Sequence, residues 1–128
     1  MPKDKDNLYV HLERIFHEPG RMAIMSNLLG ASNGMTFSQL KNACDLTDGN
    51  LSRHLKALEK ARAVTIKKRF VKNRPQTTVV LSKHGQADFM AYLQALEAVL
   101  LDAAAKVNTQ KATNAGYISL FNSKLTEA

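Results

Sequence analysis

The spacing of apolar residues along the chain changes from helical to strand-like and back. Leucines and an isoleucine recur every three or four residues between residues 6 and 16, which predicts a first helix. Pro19 suits the first turn of a second helix, which is expected to end before Gly30. The chain therefore begins with two short helices joined by a proline-containing break.

Capping residues mark the start of two further helices. Thr36 and Gln39 have the spacing of a capping box, so a short third helix is expected to begin there and to break near Asp45. Thr47 can cap a fourth helix over residues 48–60. The apolar stripe of this fourth helix is formed by Leu51, Leu55 and Leu58. At about 100° per residue, the side of the helix opposite this stripe is cationic.

The residues that follow have the composition of β-strands. Residues 64–70 begin with apolar and polar alternation, and residues 77–81 are rich in β-branched side chains. A turn is expected at residues 72–75, where Pro75 favours a loop or a sheet edge over a central strand because it cannot donate to a ladder. The pattern predicts a β-hairpin whose tip lies in the basic stretch 67–77.

The last strong apolar repeat predicts a long helix. Ser82 can cap this helix, which is expected over about residues 83–106 and is too apolar to lie alone. Residues 108–128 form a more polar tail with at most one weak helix. We therefore expect one domain over residues 1–107, of the α+β class and mainly α.

The net charge of +7 is concentrated in one part of the chain. Residues 49–83 contain ten Lys and Arg but a single acid, Glu59, which gives +9, whereas the remaining residues carry eight cations and ten acids. A localised basic segment is the electrostatic footprint of a polyanion such as nucleic acid. No acid lies between Val64 and Leu81. The alternative for the hairpin cations is that they keep an exposed strand edge from aggregating.

Other kinds of chemistry find little support in the sequence. Cys44 is the only cysteine, so no disulfide or thiolate cluster can form within the chain. The four histidines form no recognisable ligand pair, and the chain has no glycine-rich phosphate loop and no nucleophile with a paired base. We expect no cofactor, no metal and no enzymatic activity. Short apolar runs and a polar N-terminus lead us to expect no membrane association and a cytoplasmic location.

The order of helices, hairpin and final helix resembles that of a winged helix-turn-helix. The resemblance is most specific over residues 36–58, where a capped helix, the tight turn 44–47 and a second capped helix follow in register. Residues 18–24 resemble the Pro-x-Arg start of the core helix, and residues 81–85 resemble the strand that leaves the wing. Over roughly residues 8–100 the chain is similar to small winged-helix transcriptional regulators of the MarR and ArsR families.

This resemblance implies a homodimer that binds double-stranded DNA. The helix at residues 48–60 would enter the major groove, and the basic wing at residues 67–77 would contact the backbone or the minor groove. Two recognition helices about one DNA turn apart, roughly 34 Å, imply a palindromic operator. Metal-sensing relatives of the ArsR type often carry a Cys-x-Cys pair where this chain has Asn42, Ala43 and Cys44, which argues against metal sensing.

Polar residues near the start of the fourth helix are candidates for reading DNA bases. Arginine can bind guanine through two hydrogen bonds, and asparagine can bind adenine in the same way. Base readout is therefore expected from Asn50, Ser52 and Arg53. Contacts to the DNA backbone are expected from Thr47, Gly49, Lys56, Lys60, Arg69, Lys72, Asn73 and Arg74. The alternative for Asn50 and Ser52 is a solvated first turn of the helix.

Apolar residues of the first and last helices are candidates for the dimer contact. The expected interface consists of Leu8, Leu12, Ile15, Phe89, Leu93, Leu96 and Leu100. The alternative for the last helix is that its apolar residues only cover the winged core. The rival function as a whole is a winged-helix protein-interaction module with an acidic partner. RNA binding is less favoured, because few exposed aromatic residues interleave the cations.

Overall fold

The computed structural model describes Tyr9 and residues 12–108. Its elements, in chain order, are α1 (Pro19–Leu29), β1 (Met35–Thr36), α2 (Phe37–Cys44), α3 (Asp48–Lys60), β2 (Val64–Val71), β3 (Arg74–Leu81) and α4 (Lys83–Asn108). One compact unit comprises Leu12–Tyr92, and the described residues of a second unit are Tyr9 and residues 93–108. This is the α+β, mainly helical winged helix with a long final helix that the pattern predicts.

The first predicted helix, over residues 6–16, differs from the structure at residues 12–16. Residues 12–16 form a bend and a turn, in which the N–H groups of Phe16 and His17 donate to the carbonyl of Glu13 at 3.1 and 3.0 Å. Apart from Tyr9, the rest of that predicted helix lies outside the described residues. The same is true of residues 109–128 of the predicted tail, whereas Asn108 is the last residue of α4.

Three predicted helix starts are confirmed by their capping contacts. The hydroxyl of Thr36 accepts from the backbone N–H of Gln39 at 3.1 Å, and the Gln39 side chain accepts from the N–H of Thr36 at 2.9 Å. The hydroxyl of Thr47 accepts from the N–H three residues further on at 3.1 Å. The hydroxyl of Ser82 accepts from the N–H of Gly85 at 2.8 Å. Each contact satisfies a donor that the first turn of a helix leaves unpaired.

A short strand that was not predicted completes the sheet. The strand β1 pairs antiparallel with β3 through Met35 with Val79 and Thr36 with Thr78, and the strand order is β1-β3-β2. Two residues are too few to show the alternation of a strand, so the sequence pattern carries no sign of it. Because β1 is so short, the central strand β3 has neighbours on both sides over only part of its length.

The β2–β3 hairpin, which we call the wing, has longer strands and a tighter turn than predicted. Pairing continues without a break as far as Val71 and Arg74, which leaves only Lys72 and Asn73 in the turn. These two residues have φ angles of 54° and 65°. Positive φ at both positions is typical of the type I′ turn, whose twist matches that of the strands it joins.

Pro75 lies inside β3, although a loop or sheet edge was expected for it. It is paired with Phe70, the position next to the hydrogen-bonded pair that flanks the turn. Such a position is a non-hydrogen-bonded pair, so the ladder between β2 and β3 needs no N–H there. On its other side, β1 ends opposite Thr78 and does not reach Pro75. The proline therefore occupies a locally open edge of the central strand.

The core of the Leu12–Tyr92 unit lies beneath α3 and the start of α4. Its buried apolar residues are Phe16, Ile24, Met25, Leu28, Leu40, Leu51, Leu55, Leu58, Ala63, Val64, Val79, Phe89 and Tyr92. The ring of Phe89 is 0% exposed and lies with its centroid 5.3 Å from that of Phe16 and 5.8 Å from that of Tyr92. Since these neighbours already cover it, we assign Phe89 to the core and not to the dimer contact.

Candidate nucleic-acid interface

The solvent face of α3 carries the three residues expected to read bases. Asn50, Ser52 and Arg53 are exposed, while the opposite side of the helix is buried. The Arg53 guanidinium donates to Oδ1 of Asn50 at 3.2 Å through Nη2. The Asn50 and Arg53 side chains are therefore held next to each other at the N-terminal half of the helix, where recognition helices meet base edges.

The start of α3 is held to α2 as well as being capped. Nζ of Lys41 lies 2.9 Å from Oδ1 of Asp48, the first residue of α3. Both side chains are substantially exposed, so this ion pair contributes little to stability. The hydroxyl of Thr47 is already engaged as the cap, so its expected contact with a phosphate would share that oxygen with the helix.

A buried histidine fixes the opposite side of α3 to the start of α1. His54 is 2% exposed, and its Nδ1 lies 3.2 Å from Nη1 of Arg21. A guanidinium cannot accept a hydrogen bond, so Nδ1 is the acceptor and the ring proton is on Nε2. That nitrogen faces Oε2 of Glu18 at 3.6 Å. Nε of Arg21 also donates to the carbonyl of Ile15 at 2.6 Å, which ties the chain before α1 into the same cluster.

The surroundings of His54 hold it in the neutral form. Burial lowers the pKa of His54 below its ordinary value of 6.5, the Glu18 carboxylate opposes this, and the charges of Arg53 and Arg21 add to the lowering. Burial alone would raise the pKa of Glu18, but the backbone N–H of Arg21, the charge of Arg21 and the backbone N–H of Gly20 lower it below 4.5. A carboxylate and a neutral imidazole are thus the stable pair at neutral pH.

The wing presents its cations to solvent. Arg69, Lys72, Asn73 and Arg74 are all exposed. Within the part of the chain that the structure describes, no ion pair joins a wing cation to a carboxylate. Because side chains alternate along a strand, Arg69 lies on one face of the wing while Lys68 lies on the other. Both faces of the wing are therefore positively charged.

A groove separates α3 from the wing, and it contains a cation that the sequence reasoning missed. Ser52 and Lys56 of α3 line one side, and Ile66 and Lys68 of β2 line the other. Lys68 was not among the expected contacts, since only the register of the hairpin shows which face a wing residue occupies. The alternation of residues 64–68 in the sequence could have placed Lys68 on the same face as Ile66, but it could not show that this face lies opposite α3. The structure thus brings Ser52 and Lys56 together with Lys68.

The remaining residues expected in a dimer contact differ in their exposure. Leu12 and Ile15 are partly buried in the first unit, and Leu93 and Leu96 are partly buried in the second. Leu100 is 48% exposed, and Leu101 next to it is 46% exposed. Leu8 lies outside the described residues.

Neither a membrane-spanning helix nor a metal-binding cluster occurs among the described residues. No helix there combines the length and apolarity needed to cross a membrane. Among Tyr9 and residues 12–108, no three or more His, Cys, Asp or Glu side chains are grouped in a way that could hold a metal ion.

The fold and the cationic surface define a winged-helix DNA-binding protein. The family model of the winged helix DNA-binding domain matches residues 21–100, and the chain belongs to this family. An uncharacterised protein of Methanocaldococcus jannaschii is 36% identical to it over 80 residues, which is 62% of this chain and 86% of that protein. The match and the fold confirm the expected class of winged-helix regulator.

Solved structures agree with this assignment. The transcriptional regulator homologue of Pyrococcus horikoshii has a TM-score of 0.68 and 31% identity, covering 80% of this chain and 98% of its own. The complex of Staphylococcus aureus MepR with DNA has a TM-score of 0.59 and 18% identity, covering 88% of this chain and 91% of its own. At that identity the likeness to MepR shows the fold alone.

Proposed function

We propose that the protein is a transcriptional regulator that binds duplex DNA as a homodimer in the cytoplasm. In this proposal, α3 enters the major groove and the wing contacts the adjacent backbone or minor groove. Residues 1–107 carry both the DNA-binding and the dimer contacts. The observation that carries the proposal is the pairing of an exposed polar face on α3 with a wing whose cations have no carboxylate partner among the described residues.

Base readout is assigned to Asn50, Ser52 and Arg53. A side chain that reads bases must be free of the core and near the N-terminal half of the helix, and these three meet both conditions. The His54 cluster supports the assignment, because an anchored inner face limits how far the outer face can turn. A good bidentate contact discriminates against the wrong base by about 1–3 kcal/mol.

Backbone contacts are assigned to the cations and to the polar residues around them. These residues are Thr47, Gly49, Lys56, Lys60, Arg69, Lys72, Asn73 and Arg74, to which the groove geometry adds Lys68. The sugar–phosphate strand between a major groove and the next minor groove would pass between α3 and the wing. Lys56 and Lys68 line the two sides of that groove together with Glu59, so the two lysines would approach the same strand against the repulsion of one carboxylate.

The dimer contact is assigned to Leu8, Leu12, Ile15, Leu93, Leu96 and Leu100. Exposed apolar side chains on the last turns of α4, such as Leu100 and Leu101, favour burial against a second subunit. A two-fold dimer would place two copies of α3 roughly 34 Å apart and would bind a palindromic operator.

The test compares one arginine variant and one lysine variant on two kinds of DNA. An operator is first obtained by selecting bound fragments from a genomic library, and each protein is then titrated against operator and random duplex over a range of salt. Arg53→Ala is expected to weaken operator binding by roughly 5- to 150-fold and random binding much less, because it removes a base contact. Lys72→Ala is expected to weaken both and to reduce the salt slope by about 1.

Two outcomes would contradict the proposal at different levels. An equal loss on both duplexes for Arg53→Ala would remove the base-reading assignment but leave DNA binding intact. The absence of salt-dependent binding to any duplex would remove DNA binding itself and favour the rival, a protein-interaction module that meets an acidic partner.

A further inference from the structure

Phe70 is an exposed apolar side chain near the tip of the wing, where it does not pack into the core. It is 75% exposed, the highest value among the large apolar residues that the structure describes. Its cross-strand partner is Pro75, which is itself exposed. Exposed strand positions that serve solubility carry charged or polar residues, as the neighbouring Lys68 and Arg69 do. The ring therefore contributes nothing to the core.

The register of the wing shows which way this ring faces. β2 and β3 pair without a bulge, so every second residue of β2 lies on the same face. Ile66 and Lys68 line the groove opposite α3, and Phe70 continues the same face toward the tip. Val71 lies on the opposite face. Phe70 and Pro75 thus form an apolar patch at the outer end of the groove in which Lys56 and Lys68 lie.

The charges around this patch indicate what it meets. Five cations occur between residues 67 and 74, and no acid occurs between Val64 and Leu81. An apolar patch inside such a field is complementary to a surface that offers both phosphates and apolar edges. The minor groove of duplex DNA offers both, since phosphates line it and the sugars and base edges form its floor.

We propose that Phe70 enters the minor groove as a wedge, partly unstacks one base step and bends the duplex. Proteins that bind the minor groove often insert apolar side chains in this way, which opens the step and allows more phosphates to be contacted. Pyrimidine–purine steps unstack most easily, so the wedge selects for them at a position where no hydrogen bond reads the base. This inference rests on the proposed DNA binding and adds readout of DNA shape to it.

A single tryptophan placed at this position tests the inference directly. The chain contains no tryptophan, so Phe70→Trp creates one reporter, and Val71→Trp is the matched control on the opposite face of the same strand. Both variants are titrated with random-sequence duplex at low salt, and binding is followed separately by the anisotropy of a dye on the DNA. We expect the emission of the Phe70→Trp protein to be quenched on binding and shielded from acrylamide, with little change for Val71→Trp.

The possible outcomes separate this inference from the proposed function. If both variants bind the duplex and the emission of Phe70→Trp does not change, the wedge is wrong and DNA binding stands. If neither the variants nor the natural protein binds duplex, DNA binding fails and the wedge fails with it. If the tryptophan becomes shielded as protein concentration rises without DNA, the patch is a contact between copies of the chain, which also overturns the wedge.

The Phe70→Ala variant supplies a second test, because its effect on DNA binding and bending should be absent if the wing acts only through its cations. Loss of a ring that stacks on a base is expected to weaken duplex binding roughly tenfold. The salt slope should stay unchanged, because no charge is lost, whereas Lys72→Ala should lower it. Energy transfer between dyes at the two ends of the duplex should show less bending with Phe70→Ala. Unchanged bending would contradict the wedge.

Discussion

Gly20 and Gly49 form a matched pair that tests whether the His54 cluster positions α3, the proposed recognition helix. Each glycine is the second residue of a helix, of α1 and α3 respectively. A Cβ added at Gly20 would lie 2.8 Å from Nε2 of His54 and 3.1 Å from Oε1 of Glu18. A Cβ added at Gly49 would have nothing within 4 Å. The same substitution to alanine therefore meets a filled site in one helix and open space in the other.

The expected effects of the two substitutions have opposite signs. Replacing glycine by alanine in the middle of a helix stabilises it by roughly 0.5–1 kcal/mol, and we expect a smaller gain, similar for both glycines, at the second residue of a helix. For Gly49→Ala this is the main effect. For Gly20→Ala, crowding of a well-packed site costs about 1–3 kcal/mol, since His54 is 2% exposed and Arg21 holds its other nitrogen. The helix propensity cancels in the comparison, so the two variants should differ by about 1–3 kcal/mol.

Urea unfolding followed by far-ultraviolet circular dichroism measures this difference. The protein concentration must be the same for all samples, because association of subunits would otherwise shift the midpoint. We expect a lower midpoint than the natural protein for Gly20→Ala, a higher one for Gly49→Ala, and similar slopes. If Gly20→Ala were as stabilising as Gly49→Ala, the His54 ring would be able to move aside at no cost in stability. The cluster could then not be what holds α3 in place.

Three further substitutions probe pH dependence, assembly and capping. His54→Gln should lower stability at neutral pH and also flatten its decline between about pH 7 and pH 5. The folded state keeps His54 neutral while the unfolded chain takes up a proton near the ordinary pKa of 6.5, so equal urea-midpoint slopes against pH in both proteins would refute this. Leu100→Glu should give monomers in sedimentation equilibrium while the matched Gln94→Glu keeps the dimer; monomers with both would point to added charge as the cause. Thr36→Ala should cost about 1 kcal/mol in urea unfolding, and an unchanged midpoint would show that the capping box is not formed.

Features that depend on neighbouring residues could be predicted from the sequence. The starts of α2, α3 and α4 follow from hydroxyl side chains that accept a hydrogen bond three residues away, and such contacts need no knowledge of the fold. The wing was recognisable for a similar reason, because β-branched residues flank a basic turn. Its exact turn was missed, since Lys72 and Asn73 are not glycine and their positive φ angles are set by strand pairing.

Features that depend on distant residues could not be predicted in this way. β1 exists only because Met35 meets Val79, far along the chain. The role of His54 depends on Arg21, which is 33 residues away, and the leucine stripe of this helix gives no sign of that contact. For the candidate site, the exposed residues of α3 follow from helical periodicity. The place of Lys68 in the groove required the register of the hairpin.

The outer part of the wing has a consequence for how the proposed DNA contact could change in length. Residues 67–75 contain no buried side chain, and the strand β1 ends before it reaches Pro75. The hairpin can therefore be lengthened without disturbing the core. Two residues added to each strand would move the tip by about 6.7 Å, close to the rise of two base pairs at roughly 3.4 Å each. One residue per strand would instead exchange the two faces. In the proposed complex with DNA, hairpin length would therefore change the span of the contacted DNA in steps of about two base pairs while α3 stays the same.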